Sequence, residues 1–343
     1  IEVGLILVEW RIFGLLKSNR WRDESNVLNE SKKEEVAKSP FSGYSLCNDE
    51  SKILVTTLDE SIYRHSKRSE CYVYDRKSKK SFLLSKEGKC MYATFSPDGS
   101  KVAYVRENNL FLVDLVTGKE RAITTDGVKN EIINGAVDWV YEEEFAMSQG
   151  FSWSPDGQRI AYYRFDESKV KQYSMDIYGD AYPKKETFKY PKAGETNSVV
   201  QICIYDLMKS SSLKVPLYKD GSITDQYIPR IQWTKDPIYL SIQRLNRKQN
   251  ELELLIADAR NGQSNVITTE ESSTYIKIND DLYFLDDKKH FIWSSESDGY
   301  AHLYLYSITG QKEKQLTKGN WDVSKVYGLN GNIIYFQSAE PAA

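Results

Sequence analysis

The chain has 343 residues, of which 40% are hydrophobic and 28% are charged, with 46 Lys and Arg against 49 Asp and Glu. This composition excludes collagen-like, disordered and coiled-coil classes and leaves enough apolar residues for a sizeable core. The net charge of -3 gives no excess positive field, so neither nucleic acid nor an anionic membrane surface is an expected partner. Aromatic residues reach 13%, with 24 Tyr against 9 Pro, which favours strands and predicts an all-β fold.

The first apolar stretch, residues 1–13, is interrupted by Glu2, Glu9 and Arg11. A membrane-spanning helix needs about 20 uninterrupted apolar residues, so no membrane span is predicted. No export signal is recognised in this stretch, which leaves the cellular compartment open. We treat residues 1–40 as a separate N-terminal segment to which no fold is assigned.

A turn motif repeats along the rest of the chain. Residues 94–104, with Ser-Pro-Asp-Gly near their start, return in similar form at residues 150–162. Proline fixes φ and glycine takes a positive φ, so the motif predicts a tight turn between two strands. Looser copies of the strand that follows the turn lie at four further places, residues 52–55, 237–240, 290–293 and 332–335. The spacing of roughly 40 to 80 residues is typical of repeat proteins with loop insertions.

Each repeat continues with a second alternating strand, a turn and a short third strand, as in residues 109–124 and 303–317. Units of about four strands that recur in this way predict a β-propeller, with about six blades in residues 41–343. A β-sandwich is the alternative fold. Two insertions, at 126–149 and 166–197, break the period, and because insertions in repeat proteins often carry the binding face, we expect the functional site there.

The first insertion contains three consecutive carboxylates, Glu142, Glu143 and Glu144. Such a run is commonly a solvated face, since like charges repel one another. The large neighbours Trp139 and Tyr141 indicate instead a short helical turn that is anchored by apolar packing. Carboxylates held in place form a receptor for an ammonium group.

The motifs of nucleophilic and metal catalysis are missing from the sequence. It has no Gly-x-Ser-x-Gly, no His-Glu-x-x-His, and only three histidines, His65, His290 and His302. Neither a triad nor a metal site nor a cofactor is therefore predicted, and a glycosidase would need a second acid elsewhere. Cys71 and Cys203 lie in strand-like alternations, where a free thiol behaves as a small buried hydrophobe.

Residues 138–144, Asp-Trp-Val-Tyr-Glu-Glu-Glu, resemble the glutamate motif of the dipeptidyl peptidase IV family, in the prolyl oligopeptidase clan of serine peptidases. Three other segments resemble family segments in the same order: Tyr-Arg-His-Ser at 63–66, Tyr-Pro-Lys-Ala-Gly at 190–194 and Asp-Gly-Tyr-Ala-His at 298–302. The resemblance extends from about residue 41 to the end of the chain.

The resemblance implies an eight-bladed propeller above a C-terminal α/β-hydrolase domain that carries the catalytic Ser, Asp and His. It also implies that Glu143 and Glu144 bind the free amino terminus of a peptide substrate. Arg64 would hold a substrate carbonyl and pair with the glutamates when no substrate is bound. Two carboxylates at a fixed distance from the nucleophile would act as a ruler that admits two residues before the cleaved bond.

The complete protein is thus expected to be a periplasmic or secreted serine dipeptidyl peptidase that cleaves after Pro or Ala and forms a homodimer. The chain as given holds about six of eight blades and no hydrolase domain, so it is expected to be inactive alone. The alternative is a stand-alone propeller that binds peptides or proteins without catalysis. A tripeptidyl or acylaminoacyl peptidase of the same clan is a third reading, which the double glutamate disfavours.

Overall fold

The computed structural model describes four stretches of the chain, residues 2–3, 41–179, 181–217 and 226–339. The predicted N-terminal segment lies outside the described residues except for Glu2–Val3 (β1). The described residues fall into two compact units. Of the described residues, the larger unit contains those between 41 and 229 and residues 258–264. The smaller unit contains β1 and residues 230–257 and 265–339.

Two four-stranded antiparallel sheets open the larger unit, and in each the strands pair in chain order. The first consists of Phe41–Leu46 (β2), Lys52–Ser61 (β3), Lys67–Asp75 (β4) and Lys80–Leu83 (β5). The second consists of Met91–Phe95 (β6), Lys101–Arg106 (β7), Asn109–Asp114 (β8) and Glu120–Ala122 (β9). Glu107 and Asn108 join β7 to β8 with φ of 48° and 59°, as a two-residue hairpin turn requires.

The Ser-Pro-Asp-Gly turns predicted from the repeat are both present and share one geometry. Gly99 and Gly157 have φ of 65° and 66°. The amide of each glycine donates to the carbonyl of the serine three residues earlier, Ser96 or Ser154, at 2.9 Å. The sequence repeat therefore corresponds to a repeat in structure.

A third sheet is built around one central strand and carries both insertions. Its strands are Ile132–Asn134 (β10), Phe151–Trp153 (β11), Arg159–Asp166 (β12), Val199–Asp206 (β15) and Ser211–Val215 (β16). β10 and β11 pair with the same edge of β12, one after the other, so they are two parts of one interrupted edge strand. The helix Trp139–Phe145 (α1) lies in the interruption. Gln172–Ile177 (β13) and Lys184–Lys189 (β14) form an antiparallel hairpin between β12 and β15.

The remaining strands form two four-stranded sheets and a final pair. The first sheet contains Gln226–Trp233 (β17), Tyr239–Asn246 (β18), Glu251–Asp258 (β19) and Ser264–Glu271 (β20). The second contains Leu282–Phe284 (β21), His290–Ser295 (β22), His302–Ser307 (β23) and Lys312–Gln315 (β24). Val323–Asn330 (β25) pairs with Ile333–Ser338 (β26), and β1 adds to β26 in parallel.

The core of each unit lies between sheets that are consecutive along the chain. In the larger unit, Leu54 and Val73 of the first sheet share a buried cluster with Val102 and Tyr104 of the second. Each fully buried aliphatic side chain contributes about 1.5–3 kcal/mol. In the smaller unit a similar cluster joins β22 and β23 to the last pair through Ile292, Leu303, Val323, Val326, Ile334 and Phe336. All four cysteines are buried free thiols, as predicted for two of them.

Candidate functional site

Helix α1 has a defined cap at each end. At its start, one carboxylate oxygen of Asp138 accepts a hydrogen bond from the Tyr141 amide at 3.0 Å, and the other accepts from the Ser198 hydroxyl at 2.6 Å. Capping of this kind stabilises a helix by about 1 kcal/mol. At its end, Ala146 adopts a left-handed φ of 50° and its amide donates to the Tyr141 carbonyl. The two caps fix which residues are helical.

Aromatic packing anchors one side of α1, as the sequence predicts for the residues that flank the glutamates. Tyr141 and Phe145 are buried, and the Tyr141 ring lies edge-on to those of Phe145 and Phe165 at centroid distances of 4.9 and 4.8 Å. The Tyr141 hydroxyl accepts a hydrogen bond from the Ile228 amide at 2.8 Å. Burial raises the pKa of Tyr141 well above 10, so this hydroxyl stays neutral.

The three consecutive glutamates of α1 occupy three different environments. Glu142 is 1% exposed, and its Oε1 accepts hydrogen bonds from the backbone amides of His65 at 2.6 Å and Ser66 at 2.9 Å. Glu143 has a side chain that is 15% exposed and faces a cation, whereas Glu144 is exposed. The mutual repulsion expected for the run is therefore relieved by amides, by an ion pair and by solvent.

The cation beside Glu143 is Arg64, whose Nε lies 3.4 Å from Glu143 Oε2. Arg64 stands in the short connection between β3 and β4, where the Ile62 amide donates to the Ser66 carbonyl at 2.9 Å and the Tyr63 amide to the Ser66 hydroxyl at 3.1 Å. The Arg64 side chain is 72% exposed. An ion pair so open to solvent contributes little to stability, so either partner can exchange for a charged ligand at low cost.

The hairpin of the second insertion packs its base against both segments of the site. Tyr190 lies on the half-buried Trp139 with ring centroids 4.2 Å apart, and Phe188 meets the edge of Tyr63 at 6.0 Å. Tyr173 lies 5.5 Å from Tyr190. Both insertions singled out by the broken repeat thus come together around α1.

A buried acid, Glu167, lies beside the helix cap and was not singled out by the sequence. It is 4% exposed, and its burial, together with the negative charge of Asp138, raises its pKa to about 7. Burial also raises the pKa of Asp138 itself. The charge of Glu167 therefore changes with pH near neutrality.

The structure brings together two of the three predicted site residues as an ion pair, Arg64 and Glu143, and places the third, Glu144, next along the helix. The resemblance implies that Arg64 pairs with both glutamates, and the structure shows its ion pair with Glu143. The hydrogen bonds from residues 65 and 66 to Glu142 were not predicted, because nothing in the sequence distinguishes Glu142 from the two glutamates that follow it. The helix cap could be predicted, since Asp138 immediately precedes an apolar run. The burial of Glu167 could not, because the sequence Asp166-Glu167 is also typical of an exposed loop.

Two kinds of feature are absent from the part of the chain that the structure describes. Across residues 2–3, 41–179, 181–217 and 226–339, no three His, Cys, Asp or Glu side chains gather as metal ligands do. Within those same stretches, no helix has both the length and the apolarity needed to cross a membrane.

Comparison with known proteins finds relatives that are named as peptidases. The sequence profile described as "Dipeptidyl peptidase IV (DPP IV) N-terminal region" matches residues 47–343. A probable dipeptidyl peptidase 4 of Aspergillus flavus is 30% identical over 337 residues, which cover 93% of this chain and 43% of that protein. The prolyl endopeptidase FAP of Homo sapiens is 30% identical over 319 residues, covering 87% of this chain and 41% of that protein.

Among solved structures, the dipeptidyl peptidase 4 of Porphyromonas gingivalis is similar with a TM-score of 0.83 and 39% identity, covering 90% of this chain and 44% of that one. This similarity, together with the succession of antiparallel sheets, confirms the predicted all-β propeller class. The chain spans less than half the length of the relatives it matches.

Proposed function

Because this chain belongs to the family of the dipeptidyl peptidase IV N-terminal region, we propose that it is the substrate-binding propeller of a serine peptidase that releases dipeptides from free N-termini. The proposal includes an α/β-hydrolase domain that supplies the Ser, Asp and His. The observation that carries the proposal is the ion pair between Arg64 and Glu143. Glu143 lies on α1, and Glu144 is the next residue of the same helix.

The ion pair suits an exchange reaction with the substrate. A peptide ammonium group has three N–H donors and no acceptor, so the carboxylates of Glu143 and Glu144 can both accept hydrogen bonds from it. The incoming positive charge takes the place of Arg64 beside Glu143. The guanidinium is then free to donate to a substrate carbonyl oxygen.

The rigidity of α1 supports the two-residue ruler. Asp138 caps the helix and Tyr141 is hydrogen-bonded to the Ile228 amide, so the glutamates project from a fixed base. An extended dipeptide spans about 7 Å, which sets how far from the ammonium site the hydrolase serine must stand. A substrate without a free amino group could not replace Arg64 beside Glu143 or bind Glu144, which disfavours its binding.

We also propose that the complete protein acts in the periplasm or outside the cell and forms a homodimer. Tyr173, Met175 and Ile177 alternate along β13 and are each more than 40% exposed, so they lie on one face of the hairpin. An exposed apolar row of this kind is typical of an interaction surface, which supports a second copy of the chain as partner.

The human relative's name favours a second function, that of a prolyl endopeptidase. An endopeptidase accepts peptides whose amino end is blocked, whereas a dipeptidyl peptidase that reads the ammonium group does not. The two functions therefore differ in a single measurable property of the substrate.

The test is turnover of a Gly-Pro anilide and of its N-acetylated form by the protein from its complete reading frame. We expect cleavage of the free amine only, and a loss in kcat/KM of about tenfold to a hundredfold in Glu143→Gln and in Glu144→Gln, as for a lost charged hydrogen bond. The exposed Glu107 supplies a control, Glu107→Gln, that should match wild type. Cleavage of both substrates would establish the endopeptidase, and cleavage of neither would favour the stand-alone binding module.

A further inference from the structure

The carboxylate of Glu142 is aimed away from solvent and at the chain segment that carries Arg64. Its Oε1 accepts from two successive backbone amides, those of His65 and Ser66, at 2.6 and 2.9 Å. Hydrogen bonds to an ionised acceptor are about twice as strong as neutral ones. Glu142 therefore joins α1 to the connection between β3 and β4.

The connection needs this acceptor from outside. Its own hydrogen bonds use the Ile62 and Tyr63 amides, which donate to Ser66, whereas the amides of residues 65 and 66 donate to Glu142. Ser66 is buried, so its amide would lack water if the carboxylate were removed. An unpaired buried donor is costly, and the segment would move to avoid it.

The position of the two amides gives the contact a consequence beyond stability. They follow Arg64 directly in the chain, so Glu142 fixes the backbone from which the arginine side chain starts. That side chain is 72% exposed and has a 3.4 Å ion pair with Glu143, which is too weak to hold it alone. Glu142 thus holds the backbone of this segment, and Glu143, the next residue of the helix, binds its arginine side chain.

We propose that Glu142 is a positioning residue of the substrate site, which sets the place of Arg64 relative to Glu143 and Glu144 through the amides of residues 65 and 66. The inference rests on the proposed function, because it assigns Glu142 an effect on substrate binding that passes through Arg64. It gives each glutamate of the run a separate task, with Glu142 acting on the protein and the other two on the ligand.

A double-mutant cycle on the complete protein tests the proposal with the Gly-Pro anilide. We expect Glu142→Ala to lower kcat/KM by roughly tenfold, mainly through KM, as for one lost net hydrogen bond. In a protein that already carries Arg64→Ala, the same substitution should change kcat/KM by no more than about twofold, which is the error of additivity. Glu142→Gln keeps the Oε1 acceptor without its charge and should retain most of the wild-type kcat/KM, and it remains testable if the alanine variant does not fold.

A stability control separates positioning from unfolding. Glu253→Gln weakens a buried ion pair with Arg244 in the smaller unit and should lower the melting temperature while leaving KM unchanged. The positioning role alone would be overturned if Glu142→Ala lowered kcat/KM by the same factor with and without Arg64. It would also be overturned if kcat/KM of Glu142→Gln were as low as that of Glu142→Ala. Unchanged turnover in Arg64→Ala would instead overturn the proposed function on which the role depends.

Discussion

Replacing Glu167 with glutamine should stabilise the protein above neutral pH and leave its stability nearly unchanged at about pH 4.5. The carboxyl is 4% exposed. Its burial and the charges of Asp138 and Asp166 raise its pKa to about 7, against the opposing influence of Lys189. Glutamine has almost the same shape and no charge, so it avoids the cost of ionising a buried group.

The sign and size of the effect follow from proton binding. Between the ordinary pKa of 4.5 and about 7, the folded chain keeps a proton on Glu167 that the unfolded chain has released. The free energy of unfolding of the wild type therefore falls as pH rises through this window. At about 1.4 kcal/mol for each pH unit, the advantage of Glu167→Gln grows to about 3 kcal/mol above pH 7.

The assay is urea denaturation, followed by tryptophan fluorescence, at several pH values from about 4.5 to 8. Glu131→Gln is the matched control, because residue 131 is exposed and its carbonyl accepts the Glu167 amide at 2.8 Å. The control should track the wild type at every pH. A stability difference for Glu167→Gln that does not vary with pH, or a less stable variant at pH 8, would refute the reasoning.

Two further predictions concern packing and backbone geometry. Tyr141→Phe removes the acceptor of the buried Ile228 amide and should cost about 1–3 kcal/mol in urea denaturation, whereas Tyr178→Phe, at an exposed position, should cost nothing measurable. Gly310→Ala should lower the melting temperature far more than Gly299→Ala. Both glycines have positive φ, 90° and 99°, but a Cβ at Gly310 would lie 1.6 Å from the Ile267 carbonyl oxygen and one at Gly299 meets nothing within 4 Å. Equal losses from the two glycine variants would contradict the steric argument.

The sequence predicts those features that depend on neighbours along the chain. Proline and glycine specify the turns at residues 96–99 and 154–157 whatever surrounds them. The large side chains around the glutamates predict the packed face of α1 because an apolar face must be buried somewhere. The resemblance names Arg64, Glu143 and Glu144 together, and the structure adds the distance between the first two.

The features that the sequence does not predict depend on residues far apart in the chain. Glu142 and Glu143 have the same side chain and differ only in the groups that they contact. The amides that donate hydrogen bonds to Glu142 are 76 and 77 positions away in the sequence. The raised pKa of Glu167 results from burial beside another acid, which no local pattern encodes. Identical side chains thus acquire different tasks from tertiary contacts alone.

The hairpin of β13 and β14 leaves the third sheet and returns to it at residues that pair with each other, Asp166 and Val199. The cost of closing a loop grows only slowly with its length, so the tip can gain or lose residues with little effect on the sheet. Its base has no such freedom, because Tyr190 and Phe188 contact the rings of Trp139 and Tyr63. The length of the hairpin can therefore change while the aromatic contacts at its base, and with them the position of α1, stay the same.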